Sequence, residues 1–445
     1  MTRAFDRLYR VVQHKWRGVN LGGWLLLERG PSAPFFEVNG LTCDSEWDAT
    51  EALCGSSMKQ DAAETFAYHR RRHVLEADFA EIAKRGFNAV RLPFGYWIVT
   101  GPTNGDPYIG PALELIDDAV EWAGRHGLEV LLDLHGNPGG ETEEKPCGRG
   151  NPDWCFEAWR RDEALDVLAM LAERYRDFEH VTGLQVCNEP SRFRIEPPKL
   201  LEHYLNAVAT VREAGMPPER VSVVCPCYFE GAKRRVFLES WRQACAAGEL
   251  DGAVLDFHPY FFLPSSNEVT QGLISEQSLH EAQSWDLVPS AVVGEFSAAF
   301  HTFKGEPCCD KTPEGRELLN EFLVVQQDAY SQHATHGHFY WTWADNAVGW
   351  SRQAAFFDGP DAGPDDGEDG EADLEDAEEA EADAVDEAEE AEEAEDDDDG
   401  DADEFGDGDE WAGSDDQSVA SDMCEAMEAT ISPYALRNKT APCTG

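Results

Sequence analysis

The sequence predicts a (β/α)₈ barrel followed by an acidic, disordered C-terminal segment. A strand-like run followed by a helical pattern recurs roughly every forty residues between Trp16 and position 357, in about eight units. The runs are rich in Val, Leu, Ile and Phe without clean alternation, as expected of parallel strands buried on both faces. Polar and ionisable residues gather where the runs end, the functional face of this architecture.

The candidate strands are 17–21, 88–93, 128–134, 182–187, 220–225, 254–258, 291–295 and 338–343. The fourth lies in Val181-Thr-Gly-Leu-Gln-Val-Cys-Asn-Glu-Pro190 and is too short for a helix. Pro190 cannot donate to a ladder, so this strand stops and leaves Asn188 and Glu189 at its C-terminal mouth. The seventh, Ala291-Val-Val-Gly-Glu295-Phe-Ser297, repeats the design. Helical patterns fill the intervals at 76–85, 112–126, 163–175, 199–214, 233–247, 275–284 and 313–336, and Gly86, Gly127 and Gly215 close three of them. A doubly wound open sheet would want a glycine-rich phosphate loop after the first strand, and Leu21-Gly-Gly-Trp24 is too short for one.

The 445 residues carry a net charge of −53, but 33 of the 88 acidic residues lie in 358–416, which holds no Lys or Arg. The rest, at about −20, is compatible with a folded enzyme and argues against nucleic-acid binding. Segment 358–416 has too little buriable surface to offset its chain entropy and is expected to be a disordered spacer, with transient helix at 371–395. The tail from 417 carries Cys424, Cys443 and the sequon Asn438-Lys-Thr440, whose origin in chance is the simpler reading. The domains are accordingly 1–357, 358–416 and 417–445. Met1 to Trp16 lacks the apolar core of a signal peptide, and no stretch is long enough for a membrane span. The twelve cysteines show no metal-binding spacing. Cys225, Cys227, Cys308 and Cys309 read as structural thiols, whereas Cys43/Cys54 and Cys147/Cys155 flank loops and would suit disulfides in an oxidising compartment. The compartment stays open, and a monomer is expected.

Arg91 ends the second strand, Asp133-Leu-His135 the third, Asn188-Glu189 the fourth, His258-Pro-Tyr260 the sixth, Glu295 the seventh, and Trp341 and Trp343 the eighth. Singly, each has a structural reading: Arg91 paired with a core carboxylate, His135 a satisfied barrel histidine, Trp341 simple packing. Their gathering at one end of the strands favours a site. There is no His-Glu-x-x-His or Cys/His cluster for zinc, no metal or cofactor is called for, and no Gly-x-Ser-x-Gly elbow is present. Two glutamates across a barrel mouth are what glycoside hydrolysis requires.

Seven motifs then become specific: Arg17-Gly-Val-Asn-Leu-Gly-Gly-Trp24-Leu-Leu-Leu-Glu28, Gly86-Phe-Asn-Ala-Val-Arg-Leu-Pro-Phe-Gly-Tyr-Trp97, Asp133-Leu-His-Gly-Asn-Pro-Gly139, Asn188-Glu189-Pro190, His258-Pro-Tyr260, Gly294-Glu295-Phe-Ser-Ala-Ala299 and Trp341-Thr-Trp343. Together, over about Trp16 to Phe357, they resemble glycoside hydrolase family 5 and, within it, the fungal exo-β-1,3-glucanases. The resemblance implies a retaining enzyme acting on a β-glucan or β-glucoside, with Glu189 as acid/base and Glu295 as nucleophile. It implies that Arg91 and Tyr260 bond the nucleophile, that Asn188 meets the sugar 2-hydroxyl, that Glu28, His135 and His258 hold other hydroxyls, and that Trp341 lies under the ring. An endo-β-glucanase, a hydrolase of glucosylated lipids, or a non-catalytic glucan-binding protein are the alternatives. The departures are the loop 140–154, with Glu141, Glu143, Glu144 and Cys147, and the acidic segment. The family's aromatic clamp would fall on Trp154 or Phe156 and on Phe261 or Phe262. Members of the family are usually secreted.

Overall fold

The computed structural model describes residues 15–56, 59–228, 232–263, 271–299, 301–302, 313–345 and 349–353. The acidic segment, the tail, Cys308, Cys309 and the sequon lie outside these residues. Eight parallel strands close into a barrel: β1 (Trp16–Asn20), β2 (Ala89–Gly95), β3 (Glu129–Gly136), β4 (Val181–Gln185), β5 (Ser222–Pro226), β6 (Ala253–Phe257), β7 (Ala291–Phe296) and β8 (Gly337–Tyr340), with β8 returning to pair with β1. The seven expected helices are present as Glu76–Lys84, Glu114–Arg125, Arg161–Tyr175, Pro197–Glu213, Ala232–Ala247, Gln271–Ser284 and Pro313–His333. Their apolar stripes face the barrel; Ile116, Ala119, Val120 and Ala123, for example, are buried at helical spacing. Among the described residues no helix is long and apolar enough to cross a membrane.

Two strands end earlier than the sequence suggests. β4 stops at Gln185 rather than 187, because the Gln185 amide donates to the Cys187 carbonyl at 3.0 Å and turns that carbonyl out of the ladder. β8 stops at Tyr340 rather than 343; the Thr342 amide goes to Trp350 O at 2.7 Å and its hydroxyl to Asn20 O at 2.7 Å. Asn188, Glu189 and Trp341 therefore sit beyond the regular ladder.

Strand alternation explains why the site forms where it does. Trp16, Ala89, Leu131, Val224, Val254, Val292 and Phe339 form one apolar layer inside the barrel. Two residues further along β2, β3 and β6 the same inward face presents Arg91, Asp133 and Asp256, all buried. On β7 the second inward position is Gly294, where a Cβ would come within 2.4 Å of the Asp256 carboxylate. The pairing then slips, with His338 opposite Val293 but Tyr340 opposite Phe296. That bulge brings Glu295 to the mouth.

The connection from β1 to β2 carries helices that the sequence reading did not anticipate, Ala33–Val38, Glu46–Ser56 and Lys59–Arg72, around a satellite core of Leu27, Phe35, Phe36, Ala49 and Phe66. Glu46 fastens this excursion to the barrel. Its carboxylate accepts from Leu27 N–H at 2.8 Å, Trp97 Nε1 at 2.8 Å and Arg70 at 3.3 Å. Burial raises the Glu46 carboxyl and lowers the Arg70 guanidinium, so attraction only partly offsets desolvation, and the penalty appears when one partner goes. Glu46→Ala is expected to destabilise the protein by about 3–5 kcal/mol in urea unfolding, by stranding a buried guanidinium. A loss under about 1 kcal/mol, the range of an exposed pair, would show that the excursion does not depend on it.

Candidate active site

The site is built on a guanidinium. Arg91 is fully buried on β2, and its guanidinium makes four hydrogen bonds and a further ion pair to residues on, or just past, other strands. Nε donates to Gln185 Oε1 at 2.9 Å, and Nη1 to Asn20 Oδ1 at 2.7 Å and Glu295 Oε1 at 2.9 Å. Nη2 meets Asn188 Oδ1 at 3.1 Å and Asp133 Oδ2 at 2.9 Å. Burial alone would lower the Arg91 pKa; Asp133, Glu295 and Asp256 outweigh it and hold it above its ordinary value. Glu295 receives Arg91 on one oxygen and the Tyr260 hydroxyl on the other, at 2.9 Å. Burial, with the charges of Glu295 and Glu189, pushes the Tyr260 hydroxyl well up, so it stays a donor.

Opposite stands Glu189, its side chain 30% exposed, with Oε1 2.9 Å from His258 Nδ1. The other ring nitrogen lies 3.0 Å from Asp256 Oδ2, and Nδ1 is also 3.5 Å from Glu295 Oε2. Flanked by three carboxylates, His258 is raised well above an ordinary histidine against the contrary effect of burial. Both its nitrogens act as donors. For Glu189, burial pulls upward, but the hydrogen bond and charge of His258 prevail and its carboxyl falls below the usual range. In the open site the proton of this pair therefore sits on His258.

Glu189, His258 and Glu295 place a carboxylate oxygen or ring nitrogen each within 4.8 Å of one another, close enough to hold a cation. A cation there would have to displace the proton on His258 Nδ1 and its bond to Glu189.

The remaining wall is formed by Glu28, His135 and Trp341. The His135 ring stacks on Trp341 at 5.7 Å between centroids; its Nδ1 is 2.7 Å from Asp133 Oδ2, and its Nε2 is 3.7 Å from Glu28 Oε1. Those last two atoms, Nε2 and Oε1, are buried and have no hydrogen-bond partner among the described residues. Burial, then the charges of Glu295, Glu189 and Asp345, raises Glu28 well above an ordinary carboxyl.

All nine residues expected from the sequence thus lie in one site. Asp256 was missed, and Asn20, Asp133 and Gln185 were seen only as parts of motifs. A signal was present: Asp133-Leu-His135 and Asp256-Phe-His258 repeat one pattern, in which alternation puts each acid on the face of the histidine that it holds. Other candidates stand differently. Trp343 turns to the helical layer, donating to Asp78 Oδ1 at 2.9 Å. Trp154 is buried, its indole N–H directed to the Gly139 and Gly140 carbonyls, and Phe156 is buried beneath Arg161 and Lys199, so neither offers an open aromatic face. Phe261 packs on Phe322 while partly buried, and the side chain of Phe262 lies outside the described residues. Cys43, Cys54, Cys147 and Cys155 carry free thiols; that of Cys147 is taken up by loop carbonyls, including Glu144 O at 3.1 Å.

A family model described as Cellulase (glycosyl hydrolase family 5) matches residues 51–346. The glucan 1,3-beta-glucosidase of Blumeria graminis is 29% identical over 397 residues, covering 79% of this chain and 86% of that protein. The probable glucan 1,3-beta-glucosidase A of Aspergillus niger is 26% identical over 386 residues, covering 79% and 87%. In Emericella nidulans a protein of the same name is 38% identical over 205 residues, 46% of this chain and 49% of that one. Among solved structures, rutinosidase from Aspergillus niger shares the fold, with a TM-score of 0.60 and 16% identity over 75% of this chain and 91% of that one. With its motifs in order on a closed barrel and the family model spanning most of that barrel, the chain belongs to glycosyl hydrolase family 5 and is a glycoside hydrolase.

Proposed function

We propose that the protein is a retaining β-glucosidase of β-1,3-glucan or related β-glucosides, with Glu295 as nucleophile and Glu189 as acid/base. The observation that carries this reading is the approach of the two carboxyls, one oxygen of each lying within 4.8 Å of one of the other. Retaining enzymes hold them about 5–5.5 Å apart, whereas inverting enzymes leave about 6.5–9.5 Å for a water between them. The substrate rests on the names that the relatives carry.

In the first step Glu295 attacks the anomeric carbon as the glycosidic bond breaks, and Glu189 passes a proton to the departing oxygen. That proton starts on His258. A sugar at the mouth excludes water from the partly exposed Glu189, which strengthens the burial that raises it. Transfer over the 2.9 Å from His258 Nδ1 then arms the acid. In the second step Glu189 takes a proton from water, which attacks the glycosyl ester and frees Glu295. Arg91 and Tyr260 keep both oxygens of Glu295 aligned. Asn188 contacts the 2-hydroxyl, and the unpartnered atoms of Glu28 and His135 take further hydroxyls above Trp341, with His258 at the same sugar. The barrel within 1–357 is read as the catalytic domain and 358–416 as a spacer outside it.

Glu295→Gln is expected to lower turnover of an aryl β-glucoside by several orders of magnitude, because no glycosyl ester can form. Near-normal turnover would refute the nucleophile assignment. Glu189→Ala is expected to retain activity on glucosides with activated leaving groups and lose it on poor ones. Added azide is expected to restore turnover with a β-glycosyl azide as product; an α-linked azide would indicate inversion. Hydrolysis of laminarin, with release of glucose rather than oligomers, tests the glucan and the exo mode together.

A further inference from the structure

Glu189 lies beyond the last ladder residue of β4, on a segment that ends in a proline, so its position has to be set by something other than the sheet. The loop after β3 supplies a candidate. Gly139 and Gly140 both adopt positive φ, at 80° and 77°, and a Cβ on Gly139 would come within 1.9 Å of Ala158 O. This tight double turn swings Glu141 back into the protein, where it is fully buried.

Glu141 grips the chain on both sides of Glu189. Its carbonyl accepts the Ser191 N–H at 3.0 Å, two residues after Glu189. Its carboxyl faces the amides of Asn137 and Asn188, the latter one residue before Glu189, and Oε2 accepts from Asn137 N–H at 3.3 Å. Asn137 in turn reaches Val186 O at 3.4 Å and takes the Trp159 indole N–H at 3.3 Å. The other carboxyl oxygen has no partner among the described residues. A buried acid half satisfied in this way is costly to keep unless it has a task. Resting on the reading of Glu189 as acid/base, we propose that Glu141 is a positioning residue that fixes the Asn188–Glu189–Ser191 segment and so aims the acid at the leaving group. Burial raises the Glu141 carboxyl to about 8 despite the amides that pull it down, so it fulfils this role as a neutral acid and adds no charge beside Glu189 at neutral pH.

Loss of aim differs from loss of folded protein. We would compare kcat/KM on a dinitrophenyl β-glucoside and on an alkyl β-glucoside for the wild type, Glu141→Ala, Glu141→Asp, Glu141→Gln and Glu189→Ala. Competent sites are counted by covalent labelling with a 2-deoxy-2-fluoro glucoside. Per competent site, Glu141→Ala is expected to lose about 10- to 100-fold on the alkyl substrate and less than about threefold on the activated one, since only the former needs the proton. Glu141→Gln, neutral and of the same shape, is expected to stay within about threefold on both. Should the alanine variant not fold, Glu141→Asp, which withdraws the acid by one methylene, is expected to show the same split at smaller size. Equal losses on both substrates, or none, would overturn the proposal. Glu189→Ala separates the two readings. A split there without one at position 141 defeats only the positioning role, whereas no split at Glu189 defeats the acid/base assignment and this role with it.

Discussion

A guanidinium with no access to water has to find an acceptor for every N–H it carries, or its burial is prohibitive. Arg91 meets most of this demand with acceptors from β1, β4, just past β4 and β7, and Asp133 of β3 adds an ion pair. Five partners from separate stretches of chain can converge only if the barrel closes with its registers aligned. The same bonds orient Asn188 and Glu295, so completing the barrel top and shaping the reaction centre are one event. A lysine there would offer a point charge with three donors and could not reproduce the planar fork.

Much of this was legible because parallel barrels write their logic at strand ends. Eight apolar runs and the punctuation after them located the strands, and the residues at their C-termini were those that converge. The limits are equally physical. Where β4 and β8 leave the ladder depends on Gln185 and Thr342 capturing backbone groups brought near only by folding. The helix Lys59–Arg72 reads KQDAAETFAYHRRR, which lacks a broad apolar stripe, because it covers a small satellite core rather than the barrel. Trp343 and Trp341 are two apart in sequence yet face different layers once the strand has ended. Asp256 was hidden inside an apolar run. Only its pairing with His258 at the spacing of Asp133 with His135 marks it as functional.

The charge balance of the mouth fits the chemistry assigned to it. Among the described residues, Asp133, Glu189, Asp256 and Glu295 surround Arg91 and a protonated His258, while burial favours the neutral form of Glu28. An excess of fixed negative charge in a dry site repels anionic ligands, accepts neutral sugars, and stabilises positive charge that develops at an anomeric carbon. The acidic character of the whole chain is concentrated in 358–416; the excess counted here is that of the barrel residues named.

The two glutamates are held differently, and the difference suits the tasks proposed for them. Glu295 belongs to β7, with both oxygens bonded and its side chain 6% exposed, so that its carboxylate is held in one orientation. Glu189 stands outside the ladder, 30% exposed, and among the described residues its side chain bonds His258, a group able to share its proton. A residue that gives up a proton in one step and takes one from water in the next needs contact with solvent and a neighbour able to store charge. Rigid placement in the sheet would suit the first step at the expense of the second. Ending the strand early, and supporting the freed segment by Arg91 on Asn188 and by Glu141 on Ser191, leaves Glu189 aimed but still reachable by water.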